Sequence, residues 1–518
     1  MKRIMLLFFI LHLFTHCSTV KKNNAHLQQL IVPNQLKKDV DFTYRKLKKL
    51  HPNLYYYSNK EKLDYIFDSL KATITTPLKP LEFYKKISPV VAAIRQGHTY
   101  VLAPEKAYSK KETKAIIKKG TGPFSQFDFS FYNNKLYVIK NKSHNTTITA
   151  GTEVVSVNGI HPQDLIREYD QYYTSDGFNK TLKTNWAAKR FVAAFTTEFG
   201  IKDSLNYTFK LNDSIKTVTI SRFKKDSNGK KDNKKSSKTT PVSSKNQHAL
   251  KRKKRINGYD KTTKTFIRSL DFFSKDSSVA ILKIKAFKKG NYHRFYKNSF
   301  AAIQKKNVQT LIIDLRNNGG GRLSEIISLY SYLADSTFVF LKNSEVVSRA
   351  SLFEGAYFNN GSVAEKAVKT LFSPFAYGYL LFTVQKDKEG KNYFATETKP
   401  HKIHKNAFSG QLYVLINGGS FSASSILSSH LKGSKRATFI GEETGGDYNG
   451  TVAGFMPALR LPHSKLKVRI GIMSMKPTYQ TNVHGHGIYP DILIIPTLED
   501  QIKEKDAVLD WLKKELIQ

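Results

Sequence analysis

Thr310-Leu311-Ile312-Ile313-Asp314-Leu315-Arg316-Asn317-Asn318-Gly319-Gly320-Gly321 passes from a near-continuous apolar segment into a glycine-rich turn, and a helical pattern from Leu323 to Leu333 follows at once. An apolar run without polar alternation reads as a strand buried on both faces, the kind that parallel sheets use. The same order returns about a hundred residues later. Leu412 to Ile416 is apolar, Asn417-Gly418-Gly419-Ser420-Phe421-Ser422-Ala423-Ser424-Ser425 is a turn of small residues, and Ser424 to Leu431 is helical. Val279 to Ile284 and Ala437 to Ile440 supply further strands, and Arg294 to Lys305 a further helix. Strands alternating with helices predict an α/β domain with a mostly parallel sheet. Small residues between a strand and a helix let backbone N–H groups face outward, where they bind developing negative charge. A serine there stands on the helix N-terminus with its hydroxyl exposed. Taken singly, either turn is equally a structural cap, because Ser and Gly favour such positions for conformational reasons.

Upstream the texture changes twice. Val40, Phe42, Leu47 and Leu50, then Leu63, Ile66, Phe67 and Leu70, recur at helical spacing, and Phe83 to Ile94 resumes the pattern before Arg95-Gln96-Gly97-His98-Thr99. Residues 30–120 therefore read as a helical domain, with Gly97 expected at a helix C-terminus. Residues 124–221 read as short strands (Leu136 to Ile139, Glu153 to Val157, Tyr207 to Leu211, Val218 to Ile220) around a short helix from Pro162 to Tyr169. Between Arg222 and Arg255 there are fourteen Lys/Arg against two Asp. With so few apolar residues the segment cannot offset its ordering entropy, so 222–262 reads as a disordered basic insertion. The long connection 350–410 is expected to cover the open side of a site, and 501–518 reads as a C-terminal helix.

The formal charge of the 518-residue chain is +43. Such a charge attracts anionic surfaces, but no zinc-finger spacing, RNA-binding aromatic signature or helix-turn-helix pattern accompanies it, which argues against specific nucleic-acid recognition. Met1-Lys2-Arg3, an apolar run from Ile4 to Phe14 broken only by His12, and Thr15-His16-Cys17 have the layout of an export signal over residues 1–17. The apolar run is too short to span a bilayer. Cys17 is the only cysteine, so no internal disulfide forms. Its place resembles the acylated cysteine of bacterial lipoprotein signals, which implies a lipid-anchored protein of the cell envelope, periplasmic or outer-membrane associated.

The two turns taken together, Asp314-Leu315-Arg316-x-Asn318-x-Gly320-Gly321 and Ser422-Ala423-Ser424 followed by Gly441-Glu442-x-Thr444-Gly445, resemble the tail-specific or carboxyl-terminal-processing serine proteases. Gly151-Thr152-Glu153-Val154-Val155-Ser156-Val157-Asn158-Gly159-Ile160 resembles the carboxylate loop and strand of their PDZ-like module. Gly485-His486-Gly487-Ile488-Tyr489-Pro490-Asp491 resembles their closing motif. His51-Pro52-Asn53-Leu54-Tyr55 and Gly97-His98-Thr99 resemble the helical domain of the tricorn-core-like branch. The resemblance implies an α+β multidomain protein: the helical N-terminal domain, a PDZ-like module at 124–221, and a protease domain at 265–500 with the crotonase-like spiral fold. It implies a polypeptide substrate and no cofactor or metal.

The same resemblance makes Ser422 the nucleophile. Many members activate it with a lysine, but Asp447 stands at that position, and an aspartate cannot become a neutral amine base. Ser425 replaces a glutamate common in the family. His98 is then the family-matched base, and an unshifted histidine titrates near 6.5. The glutamate that orients this histidine in the tricorn-like branch has no counterpart in Asn482-Val483-His484-Gly485-His486, which leaves His484 or Asn482 as weak substitutes and the third group open. His484 and His486 alone are too few to specify a metal site. The oxyanion donors are expected to be the backbone N–H groups of Ala423 and of Gly320 or Gly321. Two other classes stay open: a non-catalytic, peptide-binding lipoprotein of this descent, and an adhesion protein for anionic surfaces, using residues 222–255.

Overall fold

A computed structural model describes residues 16–224, 244–272, 278–354, 363–395 and 398–516. After a first helix, His16–His26, three helices build the N-terminal core. Pro33–Leu50 begins with its proline in the first turn, where the missing N–H costs nothing. It buries Leu36, Val40, Leu47 and Leu50 along one stripe. Lys60–Ala72 is capped by Asn59, whose side chain accepts the Lys62 N–H at 3.0 Å. Pro80–Ala92 buries Phe83, Tyr84, Ile87 and Val91. This third helix stops short of Gly97. Arg95 takes the left-handed turn instead (φ 59°), and Gly97 has a different task, described below.

Residues 127–221 form a five-stranded antiparallel sheet whose strands lie in sequence order: Phe127–Tyr132, Lys135–Asn141, Glu153–Val157, Ser204–Leu211 and Ser214–Ser221. Helices Pro162–Asp170 and Ala187–Phe199 join its third and fourth strands. Leu136, Val138, Val154, Tyr207 and Phe209 from the sheet share one apolar core with Phe191 and Phe195 and with the three N-terminal helices. The helical and β-rich regions therefore stabilise each other instead of standing as independent units.

The C-terminal sheet has six strands in the order Ile492–Leu493, Thr438–Gly441, Gln411–Ile416, Thr310–Asp314, Val279–Ile284, Arg268–Phe272. The first five run parallel, and Arg268–Phe272 closes the edge antiparallel. Leu311 and Ile313 face a core that includes helices Tyr292–Lys305, Leu323–Tyr330 and Ala423–Gly433. Ile312 and Leu415 face the opposite side, against Val508 and Leu512 of the terminal helix Ala507–Glu515. Burial on both faces accounts for the unbroken apolar run of Thr310–Asp314. Because Asp314 pairs in register with Leu415, the two glycine turns leave adjacent strands side by side.

The basic stretch departs from the expectation of disorder. Arg222 binds Asp203 at 2.9 Å and donates to the Gly120 carbonyl, while Phe223 pairs with Thr121. Ser244–Asn257 is a helix that buries Ile256, whose carbonyl accepts Arg268 Nε at 2.8 Å. Local composition missed these tertiary anchors; residues 225–243 lie outside the described residues. Residues 1–15 also lie outside them. The backbone of Cys17 is in helix His16–His26. Among the described residues no helix is long and apolar enough to cross a membrane.

Candidate active site

The two turns are tied into one body. Leu315 N–H donates to the Leu415 carbonyl (3.0 Å), Asn317 N–H to Asn417 Oδ1 (2.8 Å), Phe421 N–H to the Asn318 carbonyl (3.0 Å), and Ser420 Oγ to the Leu315 carbonyl (2.8 Å). Arg316 forks to buried Asp314 and to Asp506, fixing the first turn to the terminal helix.

Ser422 ends the second turn at φ 58°, ψ −120°, and the helix Ala423–Gly433 starts with the next residue. A non-glycine residue there costs about 1–3 kcal/mol and persists only where its surroundings hold it. Gly320 lies against this corner. A Cβ on it would stand 2.7 Å from the Phe421 carbonyl oxygen, 2.8 Å from Ala423 N and 2.8 Å from Ser422 Cβ, and its φ is +90°. Only glycine admits that approach. Its own N–H, however, donates to Asn318 Oδ1 at 3.0 Å. Gly321 bridges Phe287 in parallel: Phe287 N–H reaches the Gly320 carbonyl and Arg322 N–H the Phe287 carbonyl. In such a bridge the central residue's own N–H points away from the partner strand, so the Gly321 N–H is turned from Phe287.

The N-terminal region contributes His98. Its ring stacks on Phe421, next to Ser422, with centroids 4.8 Å apart and planes at 20°. Gly97 permits this, since a Cβ there would lie 2.6 Å from the Phe421 ring. His98 Nδ1 meets Thr451 Oγ1 at 3.1 Å, Thr451 Oγ1 donates to Asp176 Oδ1 at 3.3 Å, and Gly97 N–H reaches the same Oδ1 at 2.8 Å. With Nδ1 engaged, Nε2 is the nitrogen left for a serine hydroxyl. Burial, and secondarily Arg469, push the His98 pKa down to about 3 rather than near 6.5.

Behind this chain lies a second buried carboxyl. Asp447 accepts Tyr57 Oη at 2.5 Å, Asn449 N–H at 2.6 Å and Gly485 N–H at 2.8 Å. Burial raises its pKa. Burial, with Asp447 nearby, pushes Asp176 up to about 7 against the pull of the Gly97 N–H. The residue at the lysine position is therefore a buried acceptor joining the N-terminal helices to the closing motif. His484 is exposed and meets Tyr56 Oη at 2.7 Å, and His486 meets Tyr489 Oη at 2.9 Å. Neither reaches His98, and no metal-binding cluster occurs among the described residues.

Sequence reasoning therefore named Ser422, His98 and both turns but missed Phe421, Thr451, Asp176 and Tyr57. Nothing in Thr174-Ser175-Asp176-Gly177 or Asn449-Gly450-Thr451 sets them apart from ordinary turns. A cleft of about 920 Å³ opens alongside, its lining including Arg95, Tyr173, Phe178, Lys180 and Lys183. Gly177 and Phe178, which follow Asp176 directly, also line it.

A mostly parallel sheet thus presents a left-handed serine and a glycine corner side by side at its strand ends. Residues 278–494 match the model of Peptidase family S41. A carboxy-terminal-processing protease from Bartonella bacilliformis is 36% identical over 103 residues, which is 19% of this chain and 21% of that relative's length. The fold is similar to that of mature CPAF, with a TM-score of 0.58 at 15% identity over 93% of this chain and 96% of that one. It is also similar to mature CPAF complexed with lactacystin (TM-score 0.59, 14% identity, 93% and 97% covered). His98 lies outside the residues that match the family model.

Proposed function

We propose that the chain is an exported serine peptidase acting on polypeptides, with Ser422 as nucleophile and His98 as general base. The observation that carries this is the juxtaposition of a serine at φ 58° with a histidine stacked on the residue preceding it. A neutral His98 is ready to accept the Ser422 proton at Nε2 without prior deprotonation. The attacked carbonyl oxygen takes charge beside Ala423 N–H, at the helix start, and a glycine N–H of the first turn. Engagement of the Gly320 N–H by Asn318 supports Gly321 as this second donor. The proton then passes from His98 to the leaving amine, and water repeats the sequence on the acyl-enzyme.

The reading extends to the remaining parts. The five-stranded module serves as a PDZ-like peptide binder, the C-terminal domain has the crotonase-like spiral fold, and the cleft lined by Arg95 and Phe178 receives the substrate chain. Residues 1–17 direct export, acylated Cys17 anchors the mature protein to an envelope membrane, and residues 222–255 add contacts to anionic surfaces. A purely peptide-binding role is not favoured, because it would leave the strain at Ser422 and the buried His98 without a use. A fluorophosphonate probe tests the central claim. Wild type should label at Ser422 and hydrolyse an unstructured peptide, Ser422→Ala should do neither, and His98→Ala should do both far more slowly. Absence of labelling in the folded wild type would refute the peptidase reading.

A further inference from the structure

We propose that Asp176, acting through the hydroxyl of Thr451, is the positioning carboxylate of His98, taking the part for which the closing glycine motif offers no acid. The proposal rests on the Ser422–His98 reading. Its first support is the directionality of a hydroxyl, which has one proton to give. Thr451 Oγ1 lies 3.3 Å from Asp176 Oδ1 and 3.1 Å from His98 Nδ1. An ionised Asp176 only accepts, so it draws the Thr451 proton toward itself. The Thr451 oxygen must then accept from His98, which fixes the proton on Nδ1 and leaves Nε2 bare. That is the tautomer a general base requires.

The second support is the cost of the arrangement. Asp176 is fully buried, and its Oδ2 meets no donor at ordinary hydrogen-bond geometry, only the weaker pull of the Asp447 backbone N–H. A buried carboxylate with one oxygen so weakly paired is expensive to keep. Its field faces the ring that becomes an imidazolium when Ser422 gives up its proton. No proton moves to Asp176 in that step; the hydroxyl and carboxylate only hold the ring and offset its charge. Asp176 is itself held by Gly97 N–H, directly before His98, and by Gly177 N–H donating to the Arg95 carbonyl (2.8 Å).

A pH response follows. A protonated Asp176 can donate to Thr451 Oγ1, which frees the Thr451 proton for His98 Nδ1 and moves the ring proton to Nε2, where no base remains. The groups facing this chain are Arg469 toward His98, Asp447 with Tyr57 toward Asp176, and His484 toward Asp447. The acid limb of kcat should then report Asp176, which titrates near 7, instead of His98.

The test uses the full-length protein with the Ser422 probe and peptide hydrolysis. Thr451→Val, which keeps shape but removes the hydroxyl, should lower kcat by about 100-fold or more with KM little changed, and Thr451→Ser should stay within a few-fold of wild type. Asp176→Asn should lower kcat similarly and abolish the acid limb near 7. Nitrogen-15 shifts of the His98 ring should show the Nδ1–H tautomer in wild type at pH 8 and a mixture in Thr451→Val. If Ser422→Ala and His98→Ala abolish hydrolysis while Thr451→Val leaves kcat and the tautomer unchanged, the positioning role is wrong and the peptidase reading stands. If Ser422→Ala retains activity, the peptidase reading itself fails. Should Asp176→Asn not fold, the Thr451 pair decides alone.

Discussion

The two glycine turns leave neighbouring parallel strands at matched register, yet they solve opposite problems. The first ends in Gly320 and Gly321, with φ of +90° and +149°, conformations that glycine adopts without penalty. It is held from outside by Arg316 and from inside by Asn318, which binds the Ile284 carbonyl at 2.8 Å and the Gly320 N–H. The second ends in Ser422, which takes a left-handed φ with a side chain attached and carries the strain. Its surroundings are neutral and tightly packed: Phe421 under His98, and a helix Ala423–Gly433 buried over nearly its whole length. One turn is relaxed and shapes backbone donors; the other is strained and aims one oxygen. In the first turn the left-handed positions fall to two glycines and to Asn317 (φ 57°), a residue type that tolerates them, whereas in the second the position falls to a serine.

The largest effect expected from breaking this division is at Ser422. Ser422→Ala should cut peptide hydrolysis by about 10⁴-fold or more while leaving the fold intact. Ser422→Gly should be equally inactive but more stable than wild type by about 1 kcal/mol, because glycine relieves the left-handed strain. Urea unfolding of the two variants separates these outcomes; equal stabilities would mean that Ser422 is unstrained. Next comes the relaxed turn. Gly320→Ala adds a Cβ 2.8 Å from Ala423 N and should lower kcat/KM by about 10²- to 10³-fold, the scale of a disturbed oxyanion site. Retention of full activity would show that the corner can open without harm.

A smaller effect tests the external hold. Arg316→Ala leaves Asp314, which is wholly buried, with the Lys283 ammonium at 3.2 Å as its one cation and the residue-316 backbone N–H at 3.1 Å. Loss of one partner of a buried pair typically costs about 3 kcal/mol, so unfolding should shift by roughly that amount. Activity of the folded fraction should change by less than about tenfold, because Asn318 and the Phe287 bridge still shape the corner. A collapse of kcat without loss of stability would show that Arg316 belongs to the chemistry.

What the sequence made legible follows the same division. Thr310–Asp314 and Gln411–Ile416 are buried on both faces, so each is written as an apolar run. Ser422 is written into a local turn. Asp176 and Thr451 lie 275 positions apart and meet only through packing of the N-terminal region on the protease domain. No local pattern carries that information. Asp447 was legible only as the absence of a lysine; its part as an acceptor of three hydrogen bonds that ties Tyr57 to Gly485 depends on residues distant in the chain. The helix Ser244–Asn257 was hidden by its charge, since burial of Ile256 and its bond to Arg268 depend on residues downstream. His98 was legible as a residue but not in its ionisation, which its surroundings set.

The smallest prediction concerns the helices that the turns launch. The first, Leu323–Tyr330, keeps an acid, Glu325, paired with Arg322 at 3.4 Å. The second carries His430, fully buried, stacked on Phe340 at 4.0 Å and bound through Nε2 to the Phe340 carbonyl. Burial pushes His430 down to about 4, so it stays neutral in the fold while an unfolded histidine titrates near 6.5. Below pH 6.5 the unfolded chain therefore binds a proton that the native chain does not. This lowers stability as pH falls from 6.5 toward 4, and the loss levels off below that value. His51 (about 4) and His98 (about 3) act in the same direction, whereas Asp176, raised to about 7, binds its proton in the fold first and opposes them. His430→Phe removes one of these histidine protons. Between pH 5 and 6 it should flatten the slope of unfolding free energy against pH by about 1 kcal/mol per unit, with peptide hydrolysis at pH 8 unchanged. An unchanged slope would mean that His430 is protonated in the native protein, and that the second helix tolerates charge as readily as the first.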